Sequence, residues 1–182
     1  MNPNTTHYLN IFLGGGAIIL QAVSIICLFL LFFGTKKNKF FFYLEKHFLV
    51  IGFLISLLAS LFSLVYSEIV NFAPCYLCWY QRVFMFPLVF IFAVALWDKD
   101  KKIIRYTLPL LCVGFLISVY QNFMYYFGEG TAPCDASGVS CYQRLVSEFG
   151  GYISIPMLSL TAFFALLVLT LLVHFGQKGK EV

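Results

Sequence analysis

Cys75 and Cys78 form a C-x-x-C pair, and Cys134 and Cys141 form a second, wider pair further along the chain. Three chemistries use such a set. Structural disulfides are one, but closing a loop as short as C-x-x-C removes little entropy from the unfolded chain and so stabilises little. Four thiolates can also build a tetrahedral zinc or copper cage, although no His, Asp or Glu accompanies the first pair. The third is a thiol–disulfide relay. One thiol of C-x-x-C attacks, the other resolves, and a helix N-terminus favours the thiolate that does the attacking. Residue types and spacing favour the relay over the other two.

Arg82 belongs to the same constellation. If helix geometry runs back through the pair, Cys75, Cys78 and Arg82 stand at i, i+3 and i+7 on one face, with Arg82 roughly 6 Å along the axis from Cys78. A guanidinium there, added to the helix dipole, would stabilise a Cys78 thiolate. The plainer reading of Arg82 is a side chain that snorkels to lipid headgroups. Cys27 and Cys112 fall inside long apolar runs, where a cysteine is usually a small apolar filler, and no redox role is assigned to them.

The elements that carry these residues are membrane spans. Of 182 residues 61% are hydrophobic and 11% are charged, and the mean hydropathy is +0.89; a soluble domain carries about 25% charge. Five apolar runs, at about Ile11–Phe33, Phe48–Ile69, Trp79–Trp97, Ile103–Phe127 and Tyr152–Phe175, are long enough to cross roughly 30 Å of hydrocarbon. They must be helices, because lipid offers no partner to open backbone groups. The first is read as a retained helix: Met1 to Asn10 holds no Lys or Arg, and the run is too long for a signal-peptide core.

Positive charge sets the expected direction. Lys36, Lys37, Lys39 and Lys46 precede span two, Lys99, Lys101, Lys102 and Arg105 separate spans three and four, and Lys178 and Lys180 follow span five. Only Arg82 and Arg144, of 12 basic residues, fall at the other ends. The positive-inside rule then puts the N-terminus outside, the C-terminus in the cytoplasm, and both cysteine pairs on the oxidising side, where disulfides persist. The net charge of +4 is thus a matter of topology, and nothing supports nucleic-acid binding. Trp79, Tyr80 and Tyr125 suit an outer aromatic belt and Trp97 an inner one. On span two Gly52, Ser56, Ser60, Ser63 and Ser67 share a face; a small-residue packing seam is favoured over a polar pathway. In the long loop from Gly128 to Gly151, Tyr142, Leu145, Val146 and Phe149 predict a short amphipathic helix on the outer surface.

The run Ala73-Pro74-Cys75-Tyr76-Leu77-Cys78-Trp79-Tyr80-Gln81-Arg82 resembles the signature of the DsbB/BdbC family of disulfide bond formation proteins. Pro133-Cys134 to Ser140-Cys141 resembles the shorter loop of the BdbC branch, and Tyr152-Ile153-Ser154-Ile155-Pro156 with Leu158, Ser159 and Phe163 resembles the start of the family's last helix. The resemblance spans about Phe48 to Phe175. It implies an all-α integral membrane fold: a four-helix-bundle core over 48–182, preceded in 1–47 by an extra N-terminal transmembrane helix and a cytoplasmic loop, five spans in all. It further implies a thiol:quinone oxidoreductase of the bacterial inner membrane. Such an enzyme reoxidises a soluble, thioredoxin-like thiol oxidase and passes the electrons to ubiquinone or menaquinone. By that resemblance Cys78 would face the quinone and make the transient adduct, and Cys75 would exchange with the outer loop. Cys134 would form the mixed disulfide with the partner, and Cys141 would resolve it. Arg82 would position and polarise the quinone, with Gln121, near the end of span four, a further candidate for its pocket. Two rivals are a vitamin K epoxide reductase-like enzyme, disfavoured because C-x-x-C here precedes the loop pair, and a membrane metal-binding protein using the four outer cysteines.

Overall fold

The computed structural model describes residues 3–33, 39–100, 102–127 and 150–178. Its helices are α1 Pro3–Phe33, α2 Lys39–Leu64, α3 Tyr76–Asp98, α4 Ile104–Phe127 and α5 Ile155–Lys178. Among the described residues five helices are long and apolar enough to cross a membrane. The architecture is all-α, as expected, with α1 the additional helix.

Several helices outrun the apolar stretches that announce them. Helix α2 starts at Lys39 rather than Phe48, and α1 starts at Pro3. Hydropathy marks only the part that needs lipid, whereas the backbone hydrogen bonds continue while nothing interrupts them. Proline suits the first helical position, where its missing N–H has no intrahelical partner to lose. Helix α2 ends in a π-helical turn, Val65–Ile69, closed by Val70 N–H donating to the Val65 carbonyl at 3.0 Å. Asn71 then takes a left-handed conformation (φ 61°), turning the chain toward Pro74 and Cys75. At the other end of α3 Lys99 is left-handed (φ 52°) and donates its N–H to the Ala95 carbonyl, an αL helix stop.

Helices α2, α3, α4 and α5 close a ring, each packing on the next and α5 returning to α2, while α1 packs along the outside of α5. In the most apolar stretch of α5 56% of residues are buried, against 17% in α1, so α5 is the central helix and α1 the peripheral one. Lipid is as apolar as leucine, so close packing rather than water exclusion holds such helices together. Phe48, Leu88, Phe92, Leu111, Phe163 and Leu166 form the core. Phe48 meets Phe92 edge-on with ring centroids 5.7 Å apart. Two glycines admit these rings: a Cβ at Gly52 would collide with the Phe92 ring, and one at Gly114 with Phe163. The Gly52–Phe92 contact lies toward the Asp98 end of α3, away from Cys75.

The small-residue face of α2 therefore divides. Gly52 and Ser56 belong to the seam, with the buried Ser56 hydroxyl donating back to the Gly52 carbonyl at 2.9 Å. Ser63 holds Arg82, and Ser67 is bonded to Glu68. Trp79, Tyr80 and Trp97 are exposed at the helix ends, but Tyr125 is buried. It faces the bundle, and its neighbour Tyr126 donates its hydroxyl to the Tyr152 carbonyl at 2.7 Å. Cys27 is buried between α1 and α5, whereas Cys112 is exposed. The helix expected over Tyr142–Phe149 lies outside the described residues.

Candidate active site

Cys75 occupies the N-cap of α3 in an extended conformation (φ −70°, ψ 168°), and its carbonyl accepts from Trp79 N–H to open the helix. Proline at 74 favours this geometry by keeping a helical path from reaching back into the preceding loop. Cys78 then lies in the first turn. The two sulfurs face each other at 3.3 Å as free thiols. Leu77 and Ile117 pack beside them, and Cys75 is buried.

The donor that reaches both sulfurs is Gln121 of α4. Its Nε2 lies 3.3 Å from Cys78 Sγ and 3.5 Å from Cys75 Sγ. Its Oε1 accepts from Gln81 Nε2 at 2.7 Å, and Gln81 also donates to Ser118 Oγ at 3.2 Å. Asn122 ties the same turn to α5, donating to the Ser118 and Pro156 carbonyls at 2.8 and 2.9 Å. Gln81, Gln121, Ser118 and Asn122 are all buried. An amide held by neighbours at its oxygen keeps its N–H groups aimed at the thiols.

Arg82 is buried as well, and its position differs from a simple counter-ion beside Cys78. Its Nε donates to Ser63 Oγ at 2.9 Å and its Nη2 to the Ser63 carbonyl at 2.8 Å. Its guanidinium carbon stands 5.1 Å from the centre of the Trp79 ring, a cation–π distance. The planar fork is thus fixed on two sides. Nη1 makes no hydrogen bond among the described residues.

Cys75, Cys78, Gln81, Arg82 and Gln121 share one cavity of about 870 Å³. Apolar side chains of α1, α2 and α5 make most of its wall, and its polar groups include the two thiols, Gln81, Arg82 and Gln121. Ser60 also lines it; this buried hydroxyl has no partner among the described residues. A large, mostly apolar space with a few convergent polar groups is what an apolar ligand with a polar head requires. The residues present thus suit a lipid-soluble quinone.

Of the site residues expected from sequence, Cys75, Cys78, Arg82 and Gln121 are brought together here, and Cys134 and Cys141 lie outside the described residues. Sequence reading passed over Gln81, Ser118 and Asn122. Their signal was available: Ser118, Gln121 and Asn122 stand at i, i+3 and i+4 in an apolar helix, and Gln81 adjoins Arg82.

The family described as disulfide bond formation protein DsbB matches residues 45–173 of this chain. The disulfide bond formation protein C of Bacillus subtilis (strain 168) is 38% identical over 139 residues, covering 73% of this chain and 96% of that protein. The probable disulfide formation protein C 2 of Bacillus anthracis is 40% identical over 126 residues, covering 69% of this chain and 89% of its own. The probable disulfide formation protein of Metapseudomonas resinovorans is 34% identical over 128 residues, 69% of this chain and 88% of that one. No solved structure matches.

Proposed function

Because this chain belongs to the DsbB family of disulfide bond formation proteins, and is a multi-pass membrane protein, we propose that it moves electrons from a soluble thioredoxin-like dithiol to a membrane quinone. The observation that carries this reading is the shared cavity: two facing thiols, a clamped guanidinium and a positioned amide open onto one apolar space within the helical bundle. A carrier that dissolves in the bilayer explains why thiol chemistry sits at the head of membrane helices.

Electrons enter at the second cysteine pair. The partner's two thiols become a disulfide as the Cys134–Cys141 disulfide becomes two thiols. That dithiol in turn reduces a Cys75–Cys78 disulfide by exchange through a mixed disulfide. When bound, the quinone supplies a two-electron, two-proton acceptor that diffuses in lipid. The Cys75 and Cys78 thiols give up two electrons and two protons and close again to a disulfide. Gln121 Nε2 donates to the sulfur that carries charge as it reacts, and donors to charged acceptors are the stronger ones. Arg82, held by Ser63 and Trp79, presents a charge that does not titrate, preorganised for negative charge arriving on an acceptor oxygen. Ten of the 12 basic residues fall at the span ends opposite Cys75, which supports an N-out, C-in orientation with both cysteine pairs on the extracytoplasmic side of the bacterial inner membrane.

The test is quinone absorbance in a mixture of the purified chain, a reduced dithiol partner and a ubiquinone or menaquinone analogue. Quinone loss matched one-for-one by partner disulfide is the expected result. Partner oxidation without quinone consumption overturns the proposal.

A further inference from the structure

Helix α1 lies wholly outside the residues 45–173 that the family matches, yet it forms one wall of the cavity that Cys78 and Arg82 reach from the opposite side. Its second half is packed against α5, with Cys27, Leu28 and Leu31 on Val168 and Leu172. Toward its N-terminal end and near its middle it is held by hydrogen bonds. Asn10 Oδ1 accepts from the Tyr66 hydroxyl at 2.7 Å, Gln21 Oε1 accepts from the Tyr152 hydroxyl at 2.8 Å, and Gln21 Nε2 donates to Thr161 Oγ1 at 2.6 Å. These bonds tie α1 to the end of α2 on one side and to α5 and the residues leading into it on the other. The helix bridges the gap between them.

Between the clamps runs Gly14-Gly15-Gly16. Glycine is a poor helix former, and Gly52 and Gly114 repay that by admitting phenylalanine rings. Gly15 and Gly16 admit nothing of the protein: a Cβ at either meets no atom within 4 Å, and both line the cavity. Across the same space stands Ser60, 8% exposed, with a hydroxyl that no described group pairs. The buried serines Ser56 and Ser118 donate to the carbonyl four residues back, and Ser60 does not. A buried hydroxyl left without a partner is costly, so this one points to a ligand. The volume, about 870 Å³, lies near the upper end of pockets that enclose whole drug-sized molecules; a single quinone ring leaves most of it empty.

We propose that α1 forms the channel for the hydrocarbon tail of the acceptor, which lies along Gly15 and Gly16 while the ring sits toward Ser60, Ser63 and Arg82. This rests on the quinone reading above. On this view the extra helix sets the preference of the enzyme for long-tailed over tail-less acceptors.

The full-length chain in detergent is assayed with a long-chain alkyl quinone and with its tail-less methyl analogue, and the ratio of the two KM values is the readout. Gly15→Leu and Gly16→Leu place a side chain where the tail would lie. Each should raise the KM of the long-chain quinone relative to the analogue by about tenfold, as displacement of two buried methylenes would. Wild-type protein that reduces neither quinone removes the proposed function itself. Wild-type protein that reduces both, with variants whose ratio rises by less than about threefold, overturns the α1 channel and leaves the function standing. Leucine is the better helix former; should a variant still fail to fold, wild-type protein is labelled with a quinone bearing a photoreactive group at the tail terminus. Label in α1 between Phe12 and Val23 is the expected result, and label confined to other helices overturns the channel.

Discussion

Gln121→Leu is the sharpest perturbation of the thiol site. It keeps the bulk and removes the Nε2 donor that stands 3.3 Å from Cys78 Sγ and 3.5 Å from Cys75 Sγ. It also deprives Gln81 of the oxygen that accepts at 2.7 Å, leaving Ser118 as its partner. A hydrogen bond to a charged group is worth about 1.5–3 kcal/mol. If that bond is made in full only when the sulfur is anionic, its loss appears in the barrier, at a factor of ten per ~1.4 kcal/mol. Oxidation of the Cys75–Cys78 dithiol by quinone should therefore slow by about 10- to 100-fold. The loss of one of the two Gln81 partners should cost a further ~1 kcal/mol of stability, a separate effect read from thermal unfolding. The assay is a single turnover: pre-reduced protein is mixed with excess quinone, quenched at intervals, and the remaining thiols are counted by alkylation. Ser118→Ala is the control, since it touches Gln81 and not the sulfurs, and should slow the step by no more than about threefold. A Gln121→Leu rate within about twofold of wild type, in folded protein, refutes the argument that this amide acts on the thiolate.

Arg82→Lys keeps the charge but cannot span Ser63 Oγ and the Ser63 carbonyl together; the KM for quinone should rise about tenfold. Ser63→Ala should raise it a few-fold, and an unchanged KM in both variants would make Arg82 a headgroup anchor. The double change Cys27→Ala and Cys112→Ala should leave quinone reduction within a few-fold of wild type, because neither sulfur lines the cavity; lost activity in folded protein assigns one of them a redox role. Reporter fusions after Lys39 and Lys101 should behave as cytoplasmic and one after Gly138 as external, and a cytoplasmic Gly138 reporter would reverse the orientation.

Span number and the C-x-x-C position were readable in the chain because both are local. Twenty apolar residues announce a span wherever they lie, and Pro74 with the run after Cys78 announces a helix start. The partner of Arg82 was not readable, since Ser63 is 19 residues away and looks like any other serine on a small-residue face. The same holds for Gln121: its separation from Cys78 is 43 residues, and only the packing of α3 on α4 tells its amide from an ordinary interhelical hydrogen bond. Tyr125 and Tyr126 make the point in reverse. Composition gives two adjacent aromatic residues at a span end, but only helix rotation turns one inward and leaves the other to cap the residues before α5.

The Gly52–Phe92 packing lies toward the Asp98 end of α3 and the cavity beside its first turn, and this gives the molecule a gradient of cohesion along the membrane normal. Where Phe92 presses on Gly52, the helices hold one another. Near Cys75 they are kept apart around an apolar void, whose lining loses dispersion contacts on its empty side. Whatever fills that void restores them and adds cohesion where the bundle has least. By mass action a ligand held at about 100 times its Kd adds about 2.7 kcal/mol to folding stability. The melting temperature of this protein should thus follow the redox carrier content of the membrane it came from. Protein stripped of lipids during purification should loosen first around α1 and the first turn of α3, with the far end of the bundle the last to give way.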